Sequence, residues 1–508
     1  MSRILLIFPP SLYRNFTPPL NLAYVAAALE ASGHDVKILD LSALHPPCDE
    51  AEAIRIARRF DPLWIGLTLN VIFIKPAYEF IASLRTLGKP IVVGGPHPSL
   101  LADEAIRNGC DFVVRGEGER TAPELTAAIE QSLDLSAVRG LSFRNSDGDI
   151  IHTPPQPLIR DLDTLPYPAK HLFPKDWYAN ETLDYQVYGP VFSGRGCPAN
   201  CSYCYKGVFG HGCRLRSAES VFDEMRMLHD THGVTAFEFM DDAFSADLNR
   251  VDALCDMILS RFPNPIRWQC TTRMDLTTRE LLRKMRRSGC FRIFYGVETG
   301  DRESLLRVNK HLDLEQARTV LEWTREAGIR SIVGYMWGFP WDSPASVRQS
   351  LRYLQEIAPS VDEFNPLGVL IPVPGTGIYE EYSQKHGLES WWMSDRFGRI
   401  YRSNTYFPYH MRRFYNDFAL LDDGFFPFSA SVRRLIRKGT HFIGFHNLFN
   451  NTPFPRALII YAAVLLSKLL CRIHPRIEQA VFGPIGEIRN RLFRKRTGLR
   501  ETACHPES

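Results

Sequence analysis

The densest chemistry in the chain is the run Cys197, Pro198, Ala199, Asn200, Cys201, Ser202, Tyr203, Cys204, a C-x3-C-x2-C pattern. Thiolates are the preferred ligands of iron–sulfur clusters, and three on one short loop can hold three irons of a cubane. The fourth iron is then left as an open coordination site. Zinc also takes cysteines, but zinc ribbons usually pair two C-x-x-C knuckles and a second knuckle is missing. Cys213, nine residues on, has no partner of its own. The spacing therefore predicts a [4Fe–4S] cluster on Cys197, Cys201 and Cys204. Cys255, Cys270 and Cys290 sit on or near apolar segments and read as core. Eleven cysteines scattered over the chain do not form a disulfide framework, which points to a reducing cytoplasm.

The elements around the cysteines must present them to a ligand. Downstream, strands are expected at 236–240, 266–270, 293–297, 331–336 and 363–371, with helices at 218–232, 279–288, 314–327 and 344–357. Repeated βα units predict a barrel or partial barrel over 186–400, with its site at the carboxyl ends of the strands. Polar residues fall at those ends: Glu238 with Asp241 and Asp242, then Arg273, then Glu298, then a glycine-rich stretch from Gly334. A carboxylate there suits an ammonium or ribose hydroxyls, and an arginine suits a carboxylate. For any single acid a surface or helix-capping role is the alternative.

Upstream, over 1–140, buried strands at 4–8, 36–40, 64–69, 91–95 and 112–114 alternate with helices at 20–31, 50–60, 76–87 and 102–108. This predicts an α/β, doubly wound, Rossmann-like sheet whose ligand lies beyond the carboxyl strand ends at the switch point. Those ends carry Pro9 and Pro10, then Gly94, Gly95, Pro96, His97 and Pro98, then Arg115, Gly116, Glu117, Gly118 and Glu119. Glycines there allow backbone to approach a ligand closely, or are merely turn residues. No G-x-G-x-x-G follows the first strand, which disfavours a dinucleotide. Residues 141–185 read as a linker: a hairpin with an Asp147-Gly148 turn, then a connection stiffened by Pro154, Pro155, Pro157, Pro166 and Pro168.

With 508 residues, 45% hydrophobic and 23% charged, the chain is globular and too long for one core. A net charge of +3 is too small for a whole-surface nucleic-acid or membrane footprint, so no nucleic-acid partner is expected. The apolar run 4–8 is too short for a signal peptide. Residues 401–508 are expected to be mostly helical. There the apolar run 457–470, interrupted by Lys468, is too short to span a bilayer and is followed by Arg472, Arg476, Arg489, Arg491, Arg494, Lys495, Arg496 and Arg500. Two readings stand side by side: an interfacial helix at an anionic membrane's inner face, or a helix packed on the barrel with a solvated basic tail.

The run from Pro18, Pro19, Leu20, Asn21 and Leu22 to Gly33, His34 and Asp35, with the glycine-rich strand ends from Gly94 and Arg115, resembles the cobalamin-binding domain of B12-dependent radical-SAM proteins. The cysteine triad resembles that family's cluster loop, and the likeness extends over residues 1–400. It implies three cofactors: a [4Fe–4S] cluster, S-adenosylmethionine chelated to the open iron, and cobalamin. It implies further that Tyr203 lies against the adenine, that Asp241 and Asp242 lie near the methionine amino group, that Arg273 follows the third strand, that Glu298 faces the ribose and that Gly334 lies near the adenine. Cobalamin would meet Pro10, Gly94, Gly95, His97, Gly116 and Glu117. No Asp-x-His-x-x-Gly occurs, so cobalt is expected to lack a histidine ligand. The implied reaction is C-methylation of an unactivated carbon of a small-molecule or lipid substrate, with a flavodoxin- or ferredoxin-like reductant. Oxidative cyclisation or rearrangement without net methyl transfer is the alternative. A catalytically inactive cobalamin sensor is a third reading, and the intact triad argues against it.

Overall fold

A computed structural model describes residues 1–11, 14–178, 186–394 and 425–473. Its first sheet contains β1 (Arg3–Phe8), β2 (Asp35–Asp40), β3 (Trp64–Thr68), β4 (Ile91–Gly94), β5 (Phe112–Val114), β6 (Leu141–Arg144) and β7 (Ile150–His152), in the order β2-β1-β3-β4-β5-β6-β7. The first five strands are parallel. Apart from the edge strand β2, where Asp35 and Lys37 are exposed, they are short apolar runs buried on both faces, as helical crossovers require. The order 2-1-3-4-5 places the switch point between β1 and β3. The helix Leu20–Ala31 is apolar nearly all round and packs against the helix Gly118–Gln131, so both its sides are covered. The hairpin β6–β7, expected to open the linker, instead completes this sheet by pairing antiparallel with β5.

The second sheet contains β8 (Pro190–Val191), β11 (Ala236–Phe239), β12 (Arg267–Thr272), β13 (Cys290–Glu298), β14 (Arg330–Trp337) and β15 (Glu363–Val369). All are parallel, and each lies beside its neighbour in sequence. The connections carry the helices Ala218–His232, Leu248–Arg261, Arg279–Arg287, Leu314–Glu326 and Pro344–Ile357. Among the described residues β8 and β15 remain edges, so the barrel is partial. Strand alternation sorts the side chains. Phe237, Phe239, Trp268, Cys270, Ile293 and Tyr295 are buried, while the intervening row Glu238, Gln269 and Arg292 is held together across the strands. Gln269 Nε2 donates to Glu238 Oε1 (2.8 Å) and Arg292 Nε donates to Gln269 Oε1 (2.7 Å).

Between β8 and β11 in sequence lies a separate antiparallel pair, β9 (Gly194–Cys197) and β10 (Gly212–Leu215). The helix Ala430–Asn451 packs on β15 and on the helix Pro344–Ile357, burying Val432, Ile436, Ile443 and Leu448. It is followed by the helix Phe454–Ile473, which contains the expected apolar run. The arginines from Arg476 onward lie outside the described residues.

Candidate active site between the two sheets

The carboxyl ends of both sheets open into one cavity of about 650 Å³. From the first sheet come Thr68, Gly94, Gly95 and Gly116; from the second come Met240 and Asp242, with Cys197 and Cys204 beside them. The strand-end glycines fit a close ligand. Gly116 adopts φ +80° and a Cβ there would meet only open space, while Gly95 at φ +104° would set a Cβ 2.7 Å from Leu69 O. Positive φ favours glycine at both positions. Leu6, Trp64, Gly66, Val92 and Val114 add apolar lining to the same cavity.

The cluster loop grows from the β9–β10 pair, with Cys197 opposite Gly212. Contacts from distant segments hold it. Lys206 Nζ donates to Cys197 O (3.1 Å), Ser202 N to Val308 O (2.9 Å), Asn309 Nδ2 to Asn200 O (2.9 Å) and Ile378 N to Ser202 O (3.0 Å). Cys197 and Cys201 are half-buried and Cys204 is exposed. Three thiols on one short loop suit a cluster, which takes cysteine ligands in this way.

The residues expected at S-adenosylmethionine separate into two groups. Glu298 ends β13 at φ +71°, buried, with Oε1 accepting from Lys310 Nζ (2.9 Å) and Oε2 without a hydrogen-bond partner. Lys310 also donates to Tyr203 Oη (3.4 Å), so these three residues form one array. Burial, with Glu298 beside it, pushes the Tyr203 phenol well above its ordinary pKa. Neither Lys310 nor Gly296, whose missing Cβ leaves room for the Glu298 carboxylate, was legible as a site residue. Arg273 forms a two-pronged pair with Asp275 (2.9 and 2.8 Å), and Gly334 is buried in β14 opposite Gly296.

The Asp241 carboxylate is engaged within the protein. It is buried and accepts from Ser193 N (2.7 Å), Gly194 N (3.1 Å) and Ser193 Oγ. Burial raises its pKa against the pull of Arg250 and these donors. It therefore fastens the turn between β8 and β9 and has little left for a ligand, whereas Asp242 next to it reaches the cavity.

The Glu117 carboxylate is likewise engaged within the protein. Its Oε1 accepts from Arg195 (2.6 Å) and Arg214 (3.0 Å), and its Oε2 from Arg214 (2.9 Å) and Ile159 N (2.9 Å). Arg195 also reaches Glu119 (2.5 Å) and lies over the rings of Tyr24 and Phe209. These bonds join the first sheet to the cluster hairpin, and Glu117 also lines the cavity. His97 lies in the short helix Pro96–Leu100, buried, with Nε2 2.8 Å from Glu104 Oε1 and its ring edge-on to Trp392. Neither His97 nor Pro10 borders the main cavity.

The comparisons agree with this geometry. Residues 13–126 match the B12 binding domain and residues 191–354 match the radical SAM superfamily. An uncharacterized methyltransferase of Pyrococcus horikoshii is 28% identical over 391 residues, covering 75% of this chain and 83% of the relative. The anaerobic magnesium-protoporphyrin IX monomethyl ester cyclase of Rubrivivax gelatinosus is 24% identical, covering 72% and 67%. The structure of a radical S-adenosylmethionine methyltransferase from Kitasatospora setae, with cobalamin and a [4Fe–4S] cluster bound, superposes with a TM-score of 0.63. It is 21% identical, covers 76% of each chain and establishes likeness of fold.

The radical SAM match together with the three-cysteine loop defines a radical-SAM enzyme. The chain belongs to the radical-SAM proteins that carry a B12-binding domain. Its cofactors are accordingly a [4Fe–4S] cluster, S-adenosylmethionine and cobalamin, and the cysteine loop, the orphaned Glu298 oxygen and the glycine-lined cavity fit them.

Proposed function

We propose that this enzyme methylates an unactivated carbon of a small molecule. The observation that carries the reading is the single cavity bordered both by the glycine strand ends of the B12-binding domain and by Cys197 and Cys204. When bound, the cluster and S-adenosylmethionine supply a hydrogen-abstracting deoxyadenosyl radical, and cobalamin supplies the methyl group. The protein contributes position and exclusion of water. Cys197, Cys201 and Cys204 hold the cluster. Tyr203, Asp242, Arg273, Glu298 and Gly334 hold S-adenosylmethionine, with Lys310 fixing the Glu298 carboxylate. Gly94, Gly95 and Gly116 let cobalamin close on backbone. Asp241 and Glu117 position the cluster hairpin.

The division of labour follows the sheets: cobalamin on the first, radical generation on the second. A flavodoxin- or ferredoxin-like protein is the reductant. In the described residues no helix is long and apolar enough to cross a membrane. The helix Phe454–Ile473 exposes Leu458, Ile459, Leu465, Leu466 and Leu469. That face favours attachment to the surface of an anionic membrane, with the basic residues that follow it in sequence.

Reconstituted enzyme incubated anaerobically with reductant, cobalamin, methyl-labelled S-adenosylmethionine and extracted metabolites should yield a labelled product together with 5′-deoxyadenosine. Cleavage with a new product that carries no label would replace methylation by cyclisation or rearrangement, the reaction of the magnesium-protoporphyrin relatives.

A further inference from the structure

The stretch 370–393 that follows β15 touches the cluster loop at one place and the B12-binding domain at another. Ile378 N donates to Ser202 O (3.0 Å), between Cys201 and Cys204, and a Cβ on Gly377 would stand 3.2 Å from the Ser202 side chain. Gly375, at φ +77°, turns the chain against Tyr205 of the cluster loop and Leu100 of the first domain, where a Cβ would stand 3.0 and 2.9 Å from their side chains. Further on, Trp392 in the helical turn Trp391–Met393 donates through Nε1 to Glu104 Oε2 (2.9 Å).

Both ends of this stretch are braced. Trp391 Nε1 donates to Pro372 O (2.9 Å), which ties the turn back to the start of the segment, and Thr376 Oγ1 donates to Val373 O (2.6 Å). Trp391 and Trp392 are buried. On the first domain, Glu104 also accepts from Tyr78 Oη (3.1 Å) and His97 Nε2 (2.8 Å), and the Trp392 ring stands edge-on to His97 at 5.5 Å. A carboxylate that gathers three donors makes stronger bonds than a neutral acceptor would. His97 belongs to the helix Pro96–Leu100, which directly follows the strand-end glycines Gly94 and Gly95. A continuous line of contacts therefore runs from Ser202 of the cluster loop, through residues 372–392, to Glu104 and the loop after β4.

We infer that residues 370–393 are a strut that fixes the loop Gly94–Leu100 relative to the cluster loop, and that Trp392 and Glu104 are positioning residues for the reaction. Domains of one chain move against each other unless their interface holds them. Glu117 and Arg195 already join the first domain to the β9–β10 pair. The Trp392–Glu104 contact is a second tie, made by a different part of the second domain. One tie leaves a hinge, whereas two at separate places fix an orientation. Orientation matters because a misplacement of about 1 Å, even from a change far from the chemistry, can cost about 10²-fold in rate. The inference rests on the two-cofactor reading for its purpose, since the strut joins the loop on the cobalamin side to the loop that holds the cluster.

The test compares full-length chains carrying cobalamin and the reconstituted cluster. Trp392→Phe removes the indole N–H and keeps an aromatic ring. Trp391→Phe unties the turn from Pro372 without touching Glu104, and should act in the same direction. Tyr78→Phe is the control, because it removes a donor to the same carboxylate from within the first domain. In Trp392→Phe, amide exchange over residues 96–101 and 388–394 should rise about tenfold, the loss of one hydrogen bond to a charged group. With cluster and cobalt both poised paramagnetic, the parent should show one dipolar splitting in frozen solution. Trp392→Phe should spread that splitting into a distribution and lower labelled product per 5′-deoxyadenosine about tenfold. Tyr78→Phe should match the parent in the splitting and in the product ratio, and each variant must retain both cofactor absorbances to count. Exchange and splitting unchanged in Trp392→Phe, or altered equally in Tyr78→Phe, would overturn the inference. A splitting that responds to Trp392→Phe in an enzyme that forms no labelled product would uphold the strut and count against the methyltransferase reading alone.

Discussion

At the residue scale, two sets of side chains carry different kinds of load. The cysteine triad carries chemistry: Cys197→Ala, Cys201→Ala and Cys204→Ala should each abolish reductive cleavage of S-adenosylmethionine, measured as 5′-deoxyadenosine. Cys213→Ala should leave it intact, since Cys213 lies on β10 opposite Gly196 and outside the triad. The Glu298–Lys310 pair carries charge. Both side chains are under 10% exposed, so removing one partner strands the other. Lys310→Met and Glu298→Gln should each destabilise the fold by about 3–5 kcal/mol, read by denaturant unfolding, and Glu298→Gln should in addition weaken S-adenosylmethionine binding. The first of these sets was legible in the sequence because its spacing is itself the signal. The second was half legible. Glu298 stands at a strand end, but Lys310 reaches it from a loop 12 positions on, with no pattern to announce the contact. The engaged carboxylates show the same limit. Asp241 and Glu117 occupy strand-end positions, and no local pattern announces the donors that their oxygens meet.

At the element scale, the β9–β10 pair decides where the cluster stands relative to the first sheet. Glu117 and Glu119 grip Arg195, which lies two residues before Cys197. Burial alone would raise the Glu117 pKa, but hydrogen bonds from Arg214 and Arg195 outweigh it and hold the value below the ordinary 4.5. A depressed folded pKa means the contribution is complete above the unfolded value and is lost as pH falls through the folded one. The stability difference between parent and Glu117→Gln should therefore be full at neutral pH and shrink below about pH 4.5. A difference that stays constant from pH 7 to 4 would show that the carboxylate's charge is not what joins the elements. At the far edge of the barrel, Asn447 accepts from Phe364 N (2.8 Å) and donates to Phe364 O (2.6 Å), closing part of the open edge of β15. Asn447→Ala should cost about 1–3 kcal/mol by leaving that backbone pair unsatisfied, measurable as a lowered melting temperature. Most strands and helices were readable from period and breakers. Helix Pro96–Leu100 was not, because two prolines in five residues look like a loop, although proline is at home in a first helical turn. The β9–β10 pair escaped because it carries glycines and ligands in place of an alternating apolar face.

At the scale of the whole molecule, what joins the domains is long-range: Glu117 to Arg214 spans 97 positions and Trp392 to Glu104 spans 288. No local pattern could have given that arrangement. Docking on the barrel and membrane attachment are the two readings of the apolar run 457–470, but the helix that packs on the barrel is the one before it. Ala430–Asn451 docks, through its buried apolar positions and through Asn447. Phe454–Ile473 does not bury its apolar surface: Phe454, Leu458, Ile459, Leu465, Leu466 and Leu469 are 45–71% exposed, while Ala457 and Val464 are buried. A contiguous exposed apolar face of this kind marks an interaction surface. If its partner is an anionic membrane, full-length protein should co-sediment with vesicles containing phosphatidylglycerol and less so with neutral ones, and salt should weaken the association by screening. Truncation after Asn451 should remove binding and preserve both cofactors, because the docked helix stays. Replacing Leu465 and Leu466 by Asp should weaken binding at all salt concentrations, since it acts on the apolar term. Co-sedimentation no greater than that of a soluble control would assign the exposed face to a protein partner, and aggregation of the parent relieved by the double Asp variant would identify that partner as a second copy of the chain.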